Sequence, residues 1–214
     1  EIRNPARGVY VSPKADPFWA ATALVPGYIS LSSALYLHHL LDEYPFTIFV
    51  ASGQRKNIRL GQHEISCFKA KNYRGMLRMA QGAEAKSRAA PYGSAMPHVQ
   101  YSVASVEKAI YDCLLHPEFV GYQKIAKALH HAKISAEKFL GICRGEDSAF
   151  FQRLGYLLSL LPARNREKNL LLGYCRKHVK SNVYLLGRSK GNYIPEWKLV
   201  DNVGREAVLS WWEQ

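Results

Sequence analysis

The chain has 214 residues, of which 48% are hydrophobic and 21% are charged, and its formal net charge is +12. This composition is typical of a globular protein with its own core, and it excludes a collagen-like chain, a coiled coil and a wholly disordered chain. An excess of cations this large favours an acidic partner, either nucleic acid or an acidic protein surface. Composition alone does not choose between them.

The first hundred residues predict short strands and two short helices. Asp16 followed by Pro17 predicts a capped helix start, and Pro26-Gly27 predicts its end. Residues 71–98 follow no clear period, which indicates a loop or a long hairpin extension. The predicted elements are a strand at 7–13, helices at 16–25 and 30–41, and strands at 46–51, 64–70 and 99–103.

The segment 17–41 carries no charge and is long enough to cross a bilayer. Because Pro26-Gly27 interrupts it and several polar side chains lie within it, two short buried helices are the better prediction. We also find no signal peptide. The four cysteines lie far apart, which fits a reducing compartment, and the expected location is the cytoplasm.

The second half predicts five helices followed by two strands. Ser105 caps the first helix, whose predicted buried face is Val106, Ala109, Ile110, Cys113 and Leu114. The other helices are predicted at 121–132, 135–143, 148–161 and 167–178, and the strands at 183–186 and 197–200. We expect these strands to form a terminal hairpin. The order favours an α+β fold with a short mixed or antiparallel sheet and a cluster of C-terminal helices.

The positive charge is concentrated in two segments. Residues 52–90 hold nine Lys or Arg and two acids, and residues 164–190 hold eight and one, so each has a net charge of +7 and the rest of the chain −2. Two explanations of these segments are equally good. They contact phosphates or an acidic protein face, or they are merely a solvated surface. The candidate binding residues are Arg55, Lys56, Arg59, Lys69, Lys71, Arg74, Arg78, Arg164, Arg166, Lys168, Arg176, Lys177 and Lys180.

Motifs for catalysis are missing from the sequence. There is no nucleophile elbow and no Walker loop, and no cysteine pair has metal-ligand spacing. We therefore expect no catalytic residue, no metal site and no cofactor. The alternative is a metal-dependent nuclease that uses Glu64 and Lys69, although no further acidic partner is identifiable.

Several segments, in order, resemble the AbiEi family, the antitoxins of type IV abortive-infection toxin–antitoxin systems. They are 28–38 with 46–51, 103–114, 151–158 and 196–202. The matching positions, which we interpret as mainly structural, are Ser30, Ser33, Ala34, Leu35, Glu107, Asp112, Arg153, Leu154, Gly155, Tyr156, Trp197 and Asn202. Ser159 departs from the family pattern, which usually has glutamate there. Gly155 lies inside a predicted helix, where it predicts close approach of another backbone.

The resemblance implies an antitoxin domain that counteracts a nucleotidyltransferase-type toxin, directly or indirectly, and that is not catalytic. It also implies an N-terminal winged helix that binds operator DNA, of which residues 1–16 would be the last wing and linker. Residues 17–214 would be the antitoxin domain, with parts at 17–104, 105–180 and 181–214. Since the chain starts at Glu1, we expect residues upstream. The alternative is a DNA-binding regulator without a toxin partner, and the oligomeric state stays open.

Overall fold

The computed structural model describes residues 3–6, 9–12, 15–80, 100–162 and 164–212. The chain divides into two compact units, Glu1–Ala109 and Ile110–Gln214. Both contain helices and strands without regular βαβ alternation, so the fold is α+β, as predicted.

The first unit is built on a mixed six-stranded sheet of order β5-β6-β4-β3-β8-β7. Strands β1 and β2 form a separate antiparallel hairpin beside β5. The elements are β1 Arg3–Ala6, β2 Val9–Val11, α1 Pro17–Leu24, β3 Gly27–Ile29, α2 Leu31–Leu37, β4 Thr47–Ser52, β5 Asn57–Leu60, β6 His63–Lys69, β7 Met76–Ala80, β8 Gln100–Ala104 and α3 Val106–Leu115. Helix α3 continues into the second unit.

Local sequence features determine where α1 begins within the uncharged segment 17–41. The Asp16 carboxylate accepts a hydrogen bond of 2.8 Å from the backbone N–H of Trp19, which confirms the predicted cap. Strand β3, which the sequence analysis missed, lies between the helices, and α2 ends at Leu37 rather than at residue 41. No helix in the described part of the chain is long and apolar enough to span a membrane.

The apolar run at 46–51 forms the central strand β4, shifted by one residue. Its residues from Ile48 to Ser52 are buried, because β4 is covered on both faces. Phe46, by contrast, lies outside the strand and is 66% exposed. Strand β5 alternates exposed and buried residues, but at four residues it is too short to stand out from a turn in the sequence. Residues 81–99, most of the segment without a clear period, lie outside the described residues.

The second unit contains most of the helices. They are α4 Pro117–Val120, α5 Tyr122–His131, α6 Ala136–Ile142, α7 Ser148–Leu160, α8 Arg166–Arg176 and α9 Arg205–Leu209, with a 3₁₀ turn at Pro195–Trp197. The strands are β9 Val183–Tyr184, β10 Asn192–Ile194 and β11 Leu199–Asp201. The helices α5 to α8 confirm the predictions to within two residues at each end.

The terminal hairpin is formed by β10 and β11, not by the predicted strands at 183–186 and 197–200. The sheet order is β10-β11-β9, with β9 parallel to β11 and β10 antiparallel to it. The loop at 187–191 therefore does not close a hairpin. Gln152 on α7 explains the parallel pairing, because its amide donates to the carbonyls of Ser181 (2.8 Å) and Trp197 (2.6 Å). This buried side chain holds the chain segments ahead of β9 and β11 side by side.

Candidate functional site

One edge of the six-stranded sheet carries exposed cations. Arg55 and Lys56 precede β5, Arg59 lies within it, and Lys69 ends the neighbouring β6. The Lys56 carbonyl accepts from the Cys67 N–H at 2.8 Å, so the pairing of these two segments extends beyond β5. We call Arg55, Lys56, Arg59 and Lys69 the basic edge. Charged edge strands also prevent unwanted strand pairing, which is the structural explanation for such residues.

The segment after β6 presents two more exposed cations, Lys71 and Arg74. It is anchored on Tyr28, whose hydroxyl lies 3.5 Å from the Asn72 carbonyl oxygen and whose ring contacts Tyr73 edge-on at 5.9 Å. Because Asn72 and Tyr73 are anchored, the positions of Lys71 and Arg74 on either side of them are fixed as well.

Arg78 lies apart from the basic edge. It is exposed on β7, at the opposite edge of the sheet, five strand spacings or about 24 Å away. There it contributes to a polar cavity of about 240 Å³. The cavity is lined by Thr22, Gly27, Arg78, Gln100, Tyr101 and Ser102.

Two of the predicted binding residues in the second unit make contacts that stabilise the fold. The Arg164 guanidinium lies 3.1 Å from the carbonyl oxygens of Leu158 and Ser159 and so caps the end of α7. Lys168 is 4% exposed and its ammonium donates to the His130 carbonyl at the end of α5. Burial lowers the pKa of Lys168. Sequence alone could not separate these two from solvated cations.

The remaining four basic candidates in this segment are exposed: Arg166, Arg176, Lys177 and Lys180. Arg176 is bound through Nε (3.1 Å) and Nη2 (2.9 Å) to one carboxylate oxygen of Glu196. The Lys180 carbonyl accepts from the ammonium of Lys198 at 3.1 Å. The sequence pattern did not single out Lys198, because this residue lies outside the basic segment.

The family-motif residues of the second unit meet in one place. A β-carbon on Gly155 would lie 2.1 Å from Cζ3 of Trp197, and Trp197 is fully buried. The predicted close approach to Gly155 therefore occurs, but an indole ring makes it rather than a backbone. Leu154 is fully buried beside it. These positions join α7 to the three-stranded sheet.

Hydrogen bonds extend this junction. The Tyr156 hydroxyl donates to Asp201 Oδ2 at 2.6 Å, and Arg153 Nε donates to the Tyr184 carbonyl at 2.9 Å. The Asn202 amide accepts from the Leu186 N–H at 3.0 Å and donates to the Leu186 carbonyl, the Gly187 carbonyl and Ser189 Oγ. Asn202 thereby shapes the loop that follows β9.

In the first unit, the motif serine Ser33 joins α2 to β4. Its hydroxyl accepts from the Phe49 N–H at 3.0 Å and donates to the Thr47 carbonyl at 3.2 Å. Ser30, at the start of α2, donates its backbone N–H to the Phe49 carbonyl at 3.0 Å. Ser30, Ala34 and Leu35 are fully buried. These motif positions are therefore structural in this unit.

Helix α3 is buried around most of its circumference, which the predicted single apolar face did not anticipate. Glu107 is 8% exposed, Lys108 is fully buried and Asp112 is 1% exposed. The Lys108 ammonium lies 5.6 Å from the centre of the Tyr28 ring.

His38 Nε2 lies 2.7 Å from the Ala104 carbonyl, and burial lowers the pKa of His38 despite the nearby Glu107 carboxylate.

The geometry does not bring the nuclease candidates together. Glu64 and Lys69 are five residues apart on β6, so they point to opposite faces of the sheet. Glu64 lies directly opposite Arg59 on β5. In the described residues, no group of three His, Cys, Asp or Glu side chains is placed to hold a metal ion.

All four cysteines are buried free thiols. Burial raises the pKa of Cys67 and Cys113, and it raises the pKa of Cys175 to about 12. Thiols in this state are poor nucleophiles.

No protein-family model matches the chain, and no curated protein matches it. Among solved structures, the chain is similar to the RV2827C protein from Mycobacterium tuberculosis. The TM-score is 0.58 with 16% sequence identity, over 96% of this chain and 73% of that chain. At this level of identity, the similarity shows a shared fold.

Proposed function

We propose that the chain is a non-catalytic antitoxin domain of the AbiEi type, acting in the cytoplasm. It counteracts a nucleotidyltransferase-type toxin and takes part in repression of its operon by contacting operator DNA. The observation that carries the binding role is the basic edge, where four exposed cations lie on two neighbouring strands or directly before one of them. Cations placed this way attract phosphates at long range.

The motif residues support this proposal indirectly. Gly155, Tyr156 and Trp197 make contacts that hold α7 on the three-stranded sheet. Because Tyr156 and Trp197 are buried in these contacts, we assign the binding role to exposed residues. The exposed cations of the basic edge are chemically suited to bind phosphates.

Co-expression tests antitoxicity. The gene directly downstream of the full-length reading frame is expressed with and without residues 1–214, and cell growth is measured. Rescue of growth by residues 1–214 supports the antitoxin. Failure by soluble, folded protein, together with DNA binding by the full-length protein, favours a regulator without a toxin partner.

A matched pair of charge reversals tests the basic edge in the full-length protein. Arg55→Glu should weaken binding to operator DNA and make the salt dependence shallower by about one phosphate contact. Arg78→Glu makes the same charge change at the far edge of the sheet and should leave affinity and salt dependence closer to wild type. Equal effects of the two variants would contradict a role specific to the basic edge.

A further inference from the structure

We infer that the outer face of the three-stranded sheet in the second unit binds a single-stranded nucleic acid by stacking bases on tyrosine rings. The proposal is independent of the antitoxin function and uses a different surface from the basic edge. We call this surface the tyrosine face, and its members are Tyr193, Val200 and Tyr184.

Strand register places these three side chains in one row. Tyr193 on β10 pairs with Val200 on β11, which pairs with Tyr184 on β9. Paired residues of neighbouring strands point to the same face of a sheet. Two strand spacings separate the tyrosines, so their backbones lie about 10 Å apart.

The tyrosine face is the outer one. In the adjacent row, Leu199 is fully buried and Val183 is 8% exposed, so that row faces inward. Tyr193 is 49% exposed, and Tyr184 and Val200 are partly exposed. The Tyr193 hydroxyl donates to Asn182 Oδ1 at 3.2 Å, and this hydrogen bond orients the ring on the edge strand β10.

Cations lie at both ends of the three-stranded sheet. Lys180 and Lys198 precede β9 and β11, and Arg188 and Lys190 lie in the loop that leads to β10. All four are exposed. The Lys198 ammonium is held on the Lys180 carbonyl, and the Asn202 amide bonds the loop that contains Arg188.

Few negative charges oppose these cations. Residues 177–204 hold five Lys or Arg and two acids, a net charge of +3. Of the two acids, Asp201 is 4% exposed and Glu196 is paired with Arg176. The exposed charge around the tyrosine face is therefore positive and suits a polyanion.

The combination of rings and cations on the tyrosine face favours a single-stranded nucleic acid over a duplex or an acidic protein. A duplex keeps its bases stacked inside, whereas a single strand offers base faces to aromatic side chains and phosphates to cations. An acidic protein would use the cations alone. Single-stranded RNA or DNA is thus the ligand class that engages both features.

Fluorescence anisotropy with the whole chain tests the proposal. The probes are fluorescein-labelled twelve-residue oligouridine, oligothymidine and a blunt DNA duplex, with poly-glutamate as a competitor. We expect both single strands to bind more tightly than the duplex, and the ratio of the two affinities identifies the preferred backbone. Tyr193→Leu should weaken single-strand binding about tenfold, while Tyr193→Phe keeps the ring, loses only the bond to Asn182 and should weaken binding less.

A second pair of variants tests the cations. Arg188→Glu with Lys190→Glu should flatten the salt dependence by about 0.7 for each phosphate that the variant no longer neutralises. The control is Lys133→Glu, which reverses one exposed cation where the test variant reverses two, so the effects are compared per reversed charge. Lys133 follows α5, and the other end of this helix, about 15 Å away, carries Tyr122, whose hydroxyl donates to the Leu185 carbonyl. Circular dichroism checks the fold of each variant. Absence of single-strand binding, equal affinities of Tyr193→Leu and wild type, or equally strong binding of poly-glutamate would overturn the proposal.

Discussion

The indole ring of Trp197 occupies the space that a side chain at Gly155 would need. A β-carbon there would lie 2.1 Å from Cζ3 and 2.4 Å from Cη2 of the ring. Trp197 is fully buried, so the ring cannot move aside without disturbing its neighbours. This close approach accounts for a glycine in the middle of α7, where glycine costs about 1 kcal/mol relative to alanine.

Gly155→Ala should therefore destabilise the protein although alanine is the better helix former. The expected loss is about 1–3 kcal/mol, the usual cost of overpacking a core. Urea unfolding followed by tryptophan fluorescence measures the change in the free energy of unfolding.

Gly173→Ala is the matched control on α8. Apart from its chain neighbours and the backbone of its own helix, no atom lies within 4 Å of the position of its added β-carbon, so only helix propensity and chain entropy act. The expected change is from zero to a gain of about 1 kcal/mol. The steric explanation for Gly155 is wrong if both variants change stability in the same direction by the same amount.

Tyr156→Phe should weaken the attachment of β11 to α7. The hydroxyl donates to the Asp201 carboxylate at 2.6 Å in a buried place, and a hydrogen bond to a charged group contributes about 1.5–3 kcal/mol. A double-mutant cycle with Asp201→Asn isolates the pairwise energy. Strictly additive single changes would show that the bond contributes nothing.

Ser33→Ala should lower the free energy of unfolding, because β4 loses a hydrogen-bond acceptor. The change leaves the buried Phe49 N–H without the hydroxyl that it donates to, at a cost of about 1–3 kcal/mol. Ser32→Ala is the control, since Ser32 is on the same helix and only partly buried. Chemical denaturation of both variants gives the comparison, and equal losses would contradict the role of the Ser33 hydroxyl.

Local patterns predicted α1 to α3 and α5 to α8 but not the short helices α4 and α9, and distant contacts decided which strands pair. Asp16 and Pro17 mark the start of α1 within four residues of sequence, so the sequence was sufficient there. The pairing of β9 with β11 depends on Gln152, some thirty to forty-five residues away in the chain. No local pattern in the strands records that contact.

The candidate binding residues divide in the same way. Clustering of charge along the chain located Arg55 and Lys56, which are exposed. The same clustering included Lys168, whose ammonium reaches a carbonyl on another helix. Tyr193 and Tyr184 were not singled out, because only the sheet register places them in one row.

Stability should fall as the pH drops below about 6.5, in part because of His38. Burial lowers its pKa, so the native imidazole stays neutral and Nε2 donates to the Ala104 carbonyl. The unfolded chain binds a proton on His38 below about pH 6.5, whereas the native protein binds it only at lower pH. The contribution of His38 is complete above that value and declines below it by up to about 1.4 kcal/mol per pH unit.

His130 acts in the same direction, since burial, His131 and Lys168 all lower its pKa. His38→Gln preserves a donor for the Ala104 carbonyl and removes the titrating group. We expect a shallower decline of the free energy of unfolding between pH 6.5 and 5 in this variant, measured by urea titration at each pH. His116→Gln removes a partly exposed histidine beside Glu118. An equal change of slope in that variant would contradict the assignment to His38.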